Sequence, residues 1–222
     1  MTILDQLSSR LGDRTETANA RVAEQCLAMP ALLGEVSEGL QSKEAAIAGD
    51  CAEVMTKVAE EQPQWVAPYA PALITLLSHK NTRVRWEAAH ALAFVAEAAY
   101  PTIAANLPQL AEIIRNDKSI IVRDYTVDAV GNYARSGAQA AREAYPVLTE
   151  ALTVWEGKHA GHALAGLANV VIKEPSLREE TGAYGKQYLE DKRGVVRKAA
   201  RTLIKAAKEK VLSNLQVDSP VS

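Results

Sequence analysis

One apolar pattern occurs five times along this chain at nearly constant spacing. From Val84, apolar side chains follow at offsets 4, 7, 8 and 11, which places them on one stripe of an α-helix. The stripe starts again at Val122, Ala160 and Val196, and upstream at Ile47, so the starting points are 37, 38, 38 and 36 residues apart. A period of roughly 20 to 50 residues indicates a repeat architecture. The pattern therefore predicts five stacked units, each with a helix that buries this stripe.

A second helical segment precedes each stripe. In the first four units it carries a proline, with apolar residues two and six positions later: Pro30, Pro71, Pro108 and Pro146. The fifth unit has Ala183 at the corresponding place. Because proline is tolerated in the first turn of a helix but kinks its interior, these first helices should begin near the proline or bend there. Aromatic residues make up only 5% of the chain, which favours closely packed helices over sheets.

The opening of the second helix carries a specific resemblance. A proline-containing helix, a short turn and then Val-Arg-x-x-Ala is similar to the HEAT repeat, and the aspartate that this family places six residues before its arginine is found in Asp117–Arg123 and Asp191–Arg197. In that family the pair forms a polar ladder between adjacent units. The resemblance implies the same structural role for Asp117, Arg123, Asp191 and Arg197.

The ladder motif is incomplete in the other units. Arg85 is present in the second unit, but His79 replaces its aspartate. The fourth unit has Trp155 and Gly161 at the two places, and the first has Ala48 in place of the arginine. We therefore expect an interrupted ladder, with softer or differently curved junctions where it is missing.

The fold prediction is an all-α solenoid of about five HEAT-like helical hairpins with an N-terminal capping helix over 15–28. We expect a single domain over 1–212 and a disordered tail over 213–222. The resemblance covers roughly 29–211, and the predicted repeats are approximately 29–61, 64–99, 101–136, 138–173 and 176–211. The fold by itself does not specify a function, because HEAT arrays serve many tasks.

The face opposite the core stripe is the candidate binding surface. By resemblance to HEAT arrays, second helices line the concave side, so residues at offsets 2, 6, 9 and 13 should look into a groove that is acidic toward its N-terminal end and basic toward its C-terminal end. The leading hypothesis is a non-enzymatic scaffold that binds another protein or a peptide along this face. Trp86 is either an interface anchor or a packing residue. The predicted partner-binding residues are Trp86, His90, Asp124, Asp128, His162, Asn169, Lys198 and Lys205.

Nucleic-acid binding is the alternative hypothesis. From Lys192 to Lys210 there are eight basic residues and one acid, Glu209, and such a basic helix could hold a phosphate backbone. HEAT-like alkylpurine DNA glycosylases use a concave Trp and Asp, for which Trp86 and Asp124 are candidates. The net charge of −2 and the absence of a basic lining in the middle of the groove argue against this alternative.

No catalytic constellation, metal site or cofactor is predicted. Glu87 with His90, and His159 with His162, each stand three residues apart on a helix, a spacing that can present two metal ligands. The HEAT-like deoxyhypusine hydroxylase family carries adjacent His-Glu pairs, and this sequence has no His-Glu dipeptide. The two pairs also belong to units too far apart to share a metal, so surface or groove histidines are expected. Asp124 and Asp128 are expected to form a solvated or partner-facing acidic ridge.

Nothing in the sequence indicates export or membrane insertion. The first residues contain no basic segment followed by an apolar run, which argues against a secretory signal. No stretch approaches the ~18 uninterrupted apolar residues of a membrane span. We therefore expect a cytoplasmic protein with no membrane partner.

Overall fold

The computed structural model describes residues 2–208, and within that range the chain forms helices and short 3₁₀ turns without any strand. Two helices precede the first repeat: α1 (Ser8–Leu11) and α2 (Thr17–Ala28). The first half of the array contains α3 (Leu33–Gly39), α4 (Ala45–Glu61), α5 (Pro63–Val66), α6 (Ala70–Leu76) and α7 (Thr82–Val95). The second half contains α8 (Tyr100–Asn116), α9 (Ile120–Tyr133), α10 (Ala138–Ala151), α11 (Val154–Gly157), α12 (Ala160–Lys173), α13 (Arg178–Gln187) and α14 (Gly194–Lys208).

These helices form five hairpins, which we call units 1 to 5. Their second helices are α4, α7, α9, α12 and α14, and their first helices are α3, the broken pair α5 and α6, α8, α10 and α13. Asn81 and Ser119 cap α7 and α9 by accepting a backbone N–H with the side chain, as residues of these types commonly do at helix N-termini. These two second helices therefore start at the turn that the repeat pattern places before the apolar stripe.

The prolines occupy two kinds of position in the first helices. Pro30 opens a 3₁₀ turn ahead of α3, and Pro71 lies in the first turn of α6. Pro108 and Pro146 instead lie inside α8 and α10, which begin at Tyr100 and Ala138. The helix thus begins near its proline in units 1 and 2, whereas in units 3 and 4 the proline lies inside the helix.

The repeated apolar stripe forms the core. The five starting residues, Ile47, Val84, Val122, Ala160 and Val196, are at most 5% exposed. Of the whole stripe, only Ile204 and Ala207 on α14 are half-buried rather than buried. Burying apolar side chains contributes roughly 25 cal/mol per Å² removed from water, so these stripes stabilise the stack together with the buried residues of the first helices.

The second helices form the more tightly packed layer. Each one contacts the second helix of the next unit along much of its length, whereas first helices of adjacent units meet over far fewer residues. At the α9–α12 crossing a Cβ built on Gly131 would lie 2.7 Å from Cα of Gly166. The closer spacing places the second helices on the inner side of the array. We call their surface that points away from the first helices the inner face.

The N-terminal segment covers the first unit more extensively than the sequence indicates. The capping helix α2 packs on α4, and in addition α1 and a 3₁₀ turn over Ile3–Gln6 fold against the array, with Leu7 fully buried. These two elements are too short to show a periodic pattern, so periodicity alone does not reveal them. The predicted tail over 213–222 lies outside the described residues. In the described part of the chain, no helix is long and apolar enough to cross a membrane.

Candidate functional site

The inner face carries polar and aromatic side chains that meet across the junctions between second helices. Six of the predicted partner-binding residues are half-buried there: Trp86, His90, Asp124, Asp128, His162 and Asn169. The other two, Lys198 and Lys205, are exposed on α14. In unit 1, offsets 6 and 9 correspond to Glu53 and Thr56, which are therefore also predicted to look into the groove. Both side chains are instead buried, because α2 and α7 cover that part of α4.

An aromatic stack joins units 2 and 3 on this face. The ring of His90 lies parallel to that of Tyr125, with centroids 3.9 Å apart and an interplanar angle of 11°, and Phe94 lies on the same helix 5.1 Å from the histidine ring. Burial lowers the pKa of His90. His90 thus serves mainly as one half of a junction between α7 and α9, which leaves only part of its ring for a ligand.

A buried polar chain joins units 3 and 4. Nε of Arg123 donates to Nε2 of His159 over 2.8 Å, so the opposite ring nitrogen carries the proton and donates to Asp124 Oδ1 at 2.6 Å. His159 is 0% exposed and Arg123 is 1% exposed. The expectation that His159 would be a surface or groove histidine is therefore wrong, because Arg123 and Asp124 together satisfy both of its ring nitrogens in the interior.

A second histidine–aspartate pair lies beside the first and is more accessible. Nδ1 of His162 is 2.8 Å from Asp128 Oδ1, and its Nε2 is 3.7 Å from Asp124 Oδ1. The hydrogen bond to Asp128 is the main cause that raises the pKa of His162. The expected acidic ridge of Asp124 and Asp128 is therefore a paired His–Asp cluster. The His162 side chain is 40% exposed and forms its accessible part.

Trp155 holds the place of the missing ladder aspartate in unit 4. Its ring lies over the guanidinium of Arg123, whose Cζ is 3.8 Å from the ring centroid. Its Nε1 donates to the backbone carbonyls of Ile114 and Arg115, 3.2 and 3.0 Å away, at the C-terminus of α8. A cation–π contact thus replaces the ion pair that an aspartate would supply at this junction.

The other ladder residues are used in two ways. Arg85 of unit 2 donates Nε and Nη2 to the carboxylate of Asp117 in unit 3, at 2.7 and 3.3 Å, which forms a rung between adjacent units. Arg123 donates to the backbone carbonyl of Asp117 rather than to its carboxylate. Arg197 likewise donates to the backbone carbonyl of Asp191.

The carboxylate of Asp191 has a different cationic partner. Arg193 donates to it through Nε and Nη2, at 2.9 and 2.8 Å, and also through its backbone N–H. Position 161, where the ladder would need an arginine from unit 4, is glycine. The local Arg193 therefore replaces the interunit rung.

Two further predicted residues lie on the inner face at opposite ends of the three central second helices, Trp86 on α7 and Asn169 on α12. Asn169 donates Nδ2 to the carbonyl of Gly131 on the preceding second helix at 2.9 Å, and Asn132 makes the matching bond to Ala93. Trp86 lies at the N-terminal end and lines a cavity beneath α1 and the α1–α2 loop. Trp86 and Asp124, the pair considered for glycosylase chemistry, thus take part in different contacts.

The position just before the apolar stripe carries a sequence signal for two of the contacts between units that were not predicted. In units 2 and 4 the residue just before the stripe, at offset −1, is polar and reaches back to an acid on the preceding second helix: Arg83 contacts Asp50 and Glu53, and His159 contacts Asp124. A polar residue at offset −1 with an acid about one repeat earlier predicts such a contact. The role of Trp155 has no comparable signal.

The titratable groups of the inner face pair with one another rather than converge on one point. Among residues 2–208, no three His, Cys, Asp or Glu side chains are grouped so that they could hold a metal ion. Glu87 and His90, three residues apart on α7, belong to different surroundings: Glu87 lines the cavity beside Trp86, and His90 stacks on Tyr125. The arrangement offers hydrogen-bonding groups, a half-exposed histidine and aromatic surface to a ligand.

Comparison with solved structures identifies similar helical repeats. A designed armadillo repeat protein in complex with the peptide (KR)4 superimposes with a TM-score of 0.71 at 18% identity, over 92% of this chain and 98% of that one. Computationally designed armadillo repeat proteins for modular peptide recognition give 0.68 at 19%, over 92% and 98%. An engineered protein from a structural genomics consortium gives 0.67 at 18%, over 94% and 97%. No family model and no curated protein matches the sequence.

These similarities establish the fold. At such low identity they carry no function from the solved structures to this chain, but they agree over nearly its whole length. The prediction of an all-α solenoid of HEAT-like hairpins is confirmed: the chain has a HEAT/armadillo-like helical repeat architecture.

Proposed function

We propose that this HEAT/armadillo-like repeat protein is a scaffold that binds a segment of another protein along its inner face. The observation that carries the proposal is the row of half-buried polar and aromatic side chains on three consecutive second helices: Trp86 and His90 on α7, Asp124 and Asp128 on α9, and His162 and Asn169 on α12. Such a row offers repeated hydrogen-bonding positions along a stiff surface. An extended or helical segment can be held at several points at once.

The rigidity of the surface supports this role. Asp124 and Asp128 are already oriented by His159 and His162, so little side-chain freedom remains to be lost when a ligand binds. The core stripes behind them are close-packed and fix the spacing of the second helices. Two of the similar solved structures are described as peptide binders, and that description favours a peptide-like ligand for this architecture.

Photo-crosslinking from matched positions tests the proposal. Ala165 lies on second helix α12 beside His162, and Ala105 lies on first helix α8; both are exposed. A photoreactive phenylalanine analogue at residue 165 should crosslink a partner in extract from the native host, and the same analogue at residue 105 should not. Mass spectrometry would identify the captured protein.

A charge reversal on the inner face provides the second arm. Asp128→Arg should abolish the crosslink from residue 165, because it replaces the acceptor that positions His162. Glu38→Lys, an exposed acid on first helix α3, should leave the crosslink unchanged. Equal capture from residues 105 and 165, or capture that survives Asp128→Arg, would reject the inner face as the binding surface.

Nucleic-acid binding through α14 is the second candidate, favoured by four exposed basic side chains on this one helix: Lys198, Arg201, Lys205 and Lys208. Its signature is an affinity that falls steeply as salt rises, since phosphate binding releases counterions. A mobility shift of duplex or single-stranded DNA and RNA at low salt, lost when Lys198 and Arg201 are both changed to Glu, would support it. The absence of any shift at low salt would eliminate it.

A further inference from the structure

A cavity of about 290 Å³ lies beside Trp86, where the N-terminal segment meets the second helices of units 1 and 2. Its walls come from α1, the α1–α2 loop, α4 and α7. The charged residues that line it are five acids and two bases: Asp13, Glu16, Asp50, Glu53 and Glu87 against Arg14 and Arg83. The lining therefore carries an excess of negative charge.

Two of these acids are matched by groups of the protein itself. Asp50 accepts from the backbone N–H of Ser9 at 2.7 Å and from Nη2 of Arg83 at 2.8 Å. Glu53 Oε2 accepts from Arg83 and Asn19, each at 2.9 Å. The charge of Arg83 is thus shared by Asp50 and Glu53.

The nearby lysine is also engaged with acids. Nζ of Lys57 lies 3.1 Å from Glu16 Oε2 and 3.5 Å from Glu53 Oε1. The second oxygen of Glu53 is buried, and this ion pair is its only contact with a donor in the described part of the chain. Arg83 and Lys57 are therefore paired with Asp50, Glu53 and Glu16, and within residues 2–208 neither of them forms an ion pair with Glu87.

Glu87 stands apart from these matched acids. It is only 8% exposed and lines the cavity, yet within residues 2–208 no group donates a hydrogen bond to its carboxylate and no cation forms an ion pair with it. Burial, together with the negative charge of Glu53, raises the pKa of Glu87 to about 7. Its oxygens are not among the buried polar atoms that lack a partner, so the carboxylate opens onto the cavity while the rest of the side chain is covered.

Trp86 adds a second unmatched group to the same wall. Its Nε1 is buried and has no acceptor among the described residues, although a buried indole N–H usually has one. The cavity is thus lined by an acid that has no paired cation and by an indole whose N–H has no acceptor among residues 2–208. A ligand that satisfies both must carry a positive group with hydrogen-bond donors close to a carbonyl oxygen.

We propose that this cavity binds the ammonium or guanidinium group of a lysine or arginine side chain in a partner segment, with Glu87 as the counter-ion and Trp86 Nε1 donating to a carbonyl of that segment. The indole ring also offers a face on which a cation can rest. This inference rests on the proposed function, and it specifies the chemistry of the residue bound at the N-terminal end of the inner face.

The indole N–H signal of Trp86 in a ¹H–¹⁵N NMR spectrum reports binding directly. It can be assigned with the Trp86→Phe variant, and the signals of Trp65 and Trp155 serve as internal controls. Capped tripeptides with a central arginine or lysine should shift the Trp86 signal in a saturable way. The same tripeptide with central citrulline, which is neutral and nearly isosteric with arginine, should bind roughly tenfold or more weakly, as expected when a charge-assisted hydrogen bond is lost.

Two glutamine variants separate the site from general electrostatics. Glu87→Gln keeps the shape of the side chain and should weaken binding of the arginine tripeptide by roughly tenfold or more. Glu60→Gln removes the same charge from an exposed position of α4 outside the cavity and should leave the affinity unchanged. Circular dichroism and thermal melting of both variants would verify that each is folded.

Three results would overturn the proposal. They are the absence of a Trp86 shift with either cationic tripeptide, equal binding of the citrulline tripeptide, and binding that survives Glu87→Gln. Equal affinity for methylguanidine, which has the cation but no carbonyl, would reject a peptide residue as the source in favour of a free small cation. A failure of any of these kinds, with crosslinking from residue 165 intact, would leave the proposed function standing.

Discussion

Arg123 and His159 form a hydrogen bond between two side chains that are both withdrawn from water. Nε of Arg123 lies 2.8 Å from Nε2 of His159, and their exposed fractions are 1% and 0%. Asp124 completes the chain on the far side of the imidazole ring. A buried guanidinium is tolerated here because a backbone carbonyl, the histidine and the ring of Trp155 surround it. The pair therefore fixes how unit 4 docks on unit 3.

Removing this guanidinium should be among the most destabilising single changes in the array. Arg123→Ala leaves the buried Nε2 of His159 without its donor, Trp155 without its cation and a cavity in place of the side chain, so we expect a loss of about 2–4 kcal/mol in the free energy of unfolding. Urea denaturation followed by circular dichroism measures it. Arg201→Ala, an exposed arginine on α14, should change stability by no more than about 0.5 kcal/mol. Similar losses for both variants would contradict the structural role of Arg123.

The turn between α10 and α12 contains residues with left-handed backbone angles, and replacing one of them by glycine should stabilise the protein. Trp155 and Glu156 have φ of 52° and 57°, followed by Gly157 at 71°. This region costs roughly 1–2 kcal/mol for a residue with a Cβ, and Glu156 is exposed and makes no side-chain bond to another described residue. We expect Glu156→Gly to raise the free energy of unfolding by about 0.5–1 kcal/mol, because the greater freedom of glycine in the unfolded chain offsets part of the relief.

Alanine at residue 156 is the matched control for that substitution. Glu156→Ala removes the carboxylate but keeps the Cβ, so its stability should stay within about 0.5 kcal/mol of the parent protein. Thermal melting of the two variants side by side gives the comparison. A glycine variant no more stable than the alanine variant would show that the turn is not strained.

The crossing of α9 and α12 depends on two facing glycines. A Cβ on Gly131 would come within 2.7 Å of the Cα of Gly166, a backbone atom that can move only if the helices separate. Gly131→Ala should therefore destabilise the protein by about 1–3 kcal/mol, the usual cost of overpacking. Gly34→Ala, on α3 with open space around its Cβ position, should instead stabilise it by about 0.5–1 kcal/mol. Denaturation midpoints that rise for both would show that the crossing can open freely.

The fold could be predicted because its main determinant is local. The stripe that begins at Val84 needs only the 3.6-residue period of one helix to identify its buried face, and the same holds at Val122 and Ala160. Small side chains such as Gly131 carry a weaker signal, since the sequence does not show which helix they face. The segment around Leu7 was missed because neither of its short elements completes a period.

The pairings on the inner face were harder to predict, because they depend on the register between helices. Asp124 and Asp128 are four residues apart and look like one ridge, but which partner each acquires is decided 34 or 35 residues later, at His159 and His162. Trp155 shows the limit most clearly. Its place in the motif predicts an aspartate, and only the left-handed turn brings its ring over Arg123.

The carboxyl group of Glu87 should make the free energy of unfolding depend on pH, and the substitution Glu87→Gln should remove that dependence. Its pKa is raised from 4.5 to about 7 in the folded protein, so between these values the native state holds more protons than the unfolded state, and the free energy of unfolding falls as pH rises. The penalty is absent below about pH 4.5 and complete above about pH 7, where it approaches about 3 kcal/mol. Glu87→Gln, which cannot ionise, should therefore match the parent protein near pH 4.5 and exceed its stability at pH 8.

Urea titrations at half-unit intervals from pH 4.5 to 8 measure this difference. Only the difference between the two proteins is interpreted, because the charges of Glu53, Arg83, Glu16 and Lys57 around the site are common to both. Glu60→Gln, at an exposed position of α4, should run parallel to the parent protein across the whole range. A stability difference between the parent and Glu87→Gln that stays constant with pH would show that the carboxyl group is not withdrawn from water, and the counter-ion role proposed for it would lose its basis.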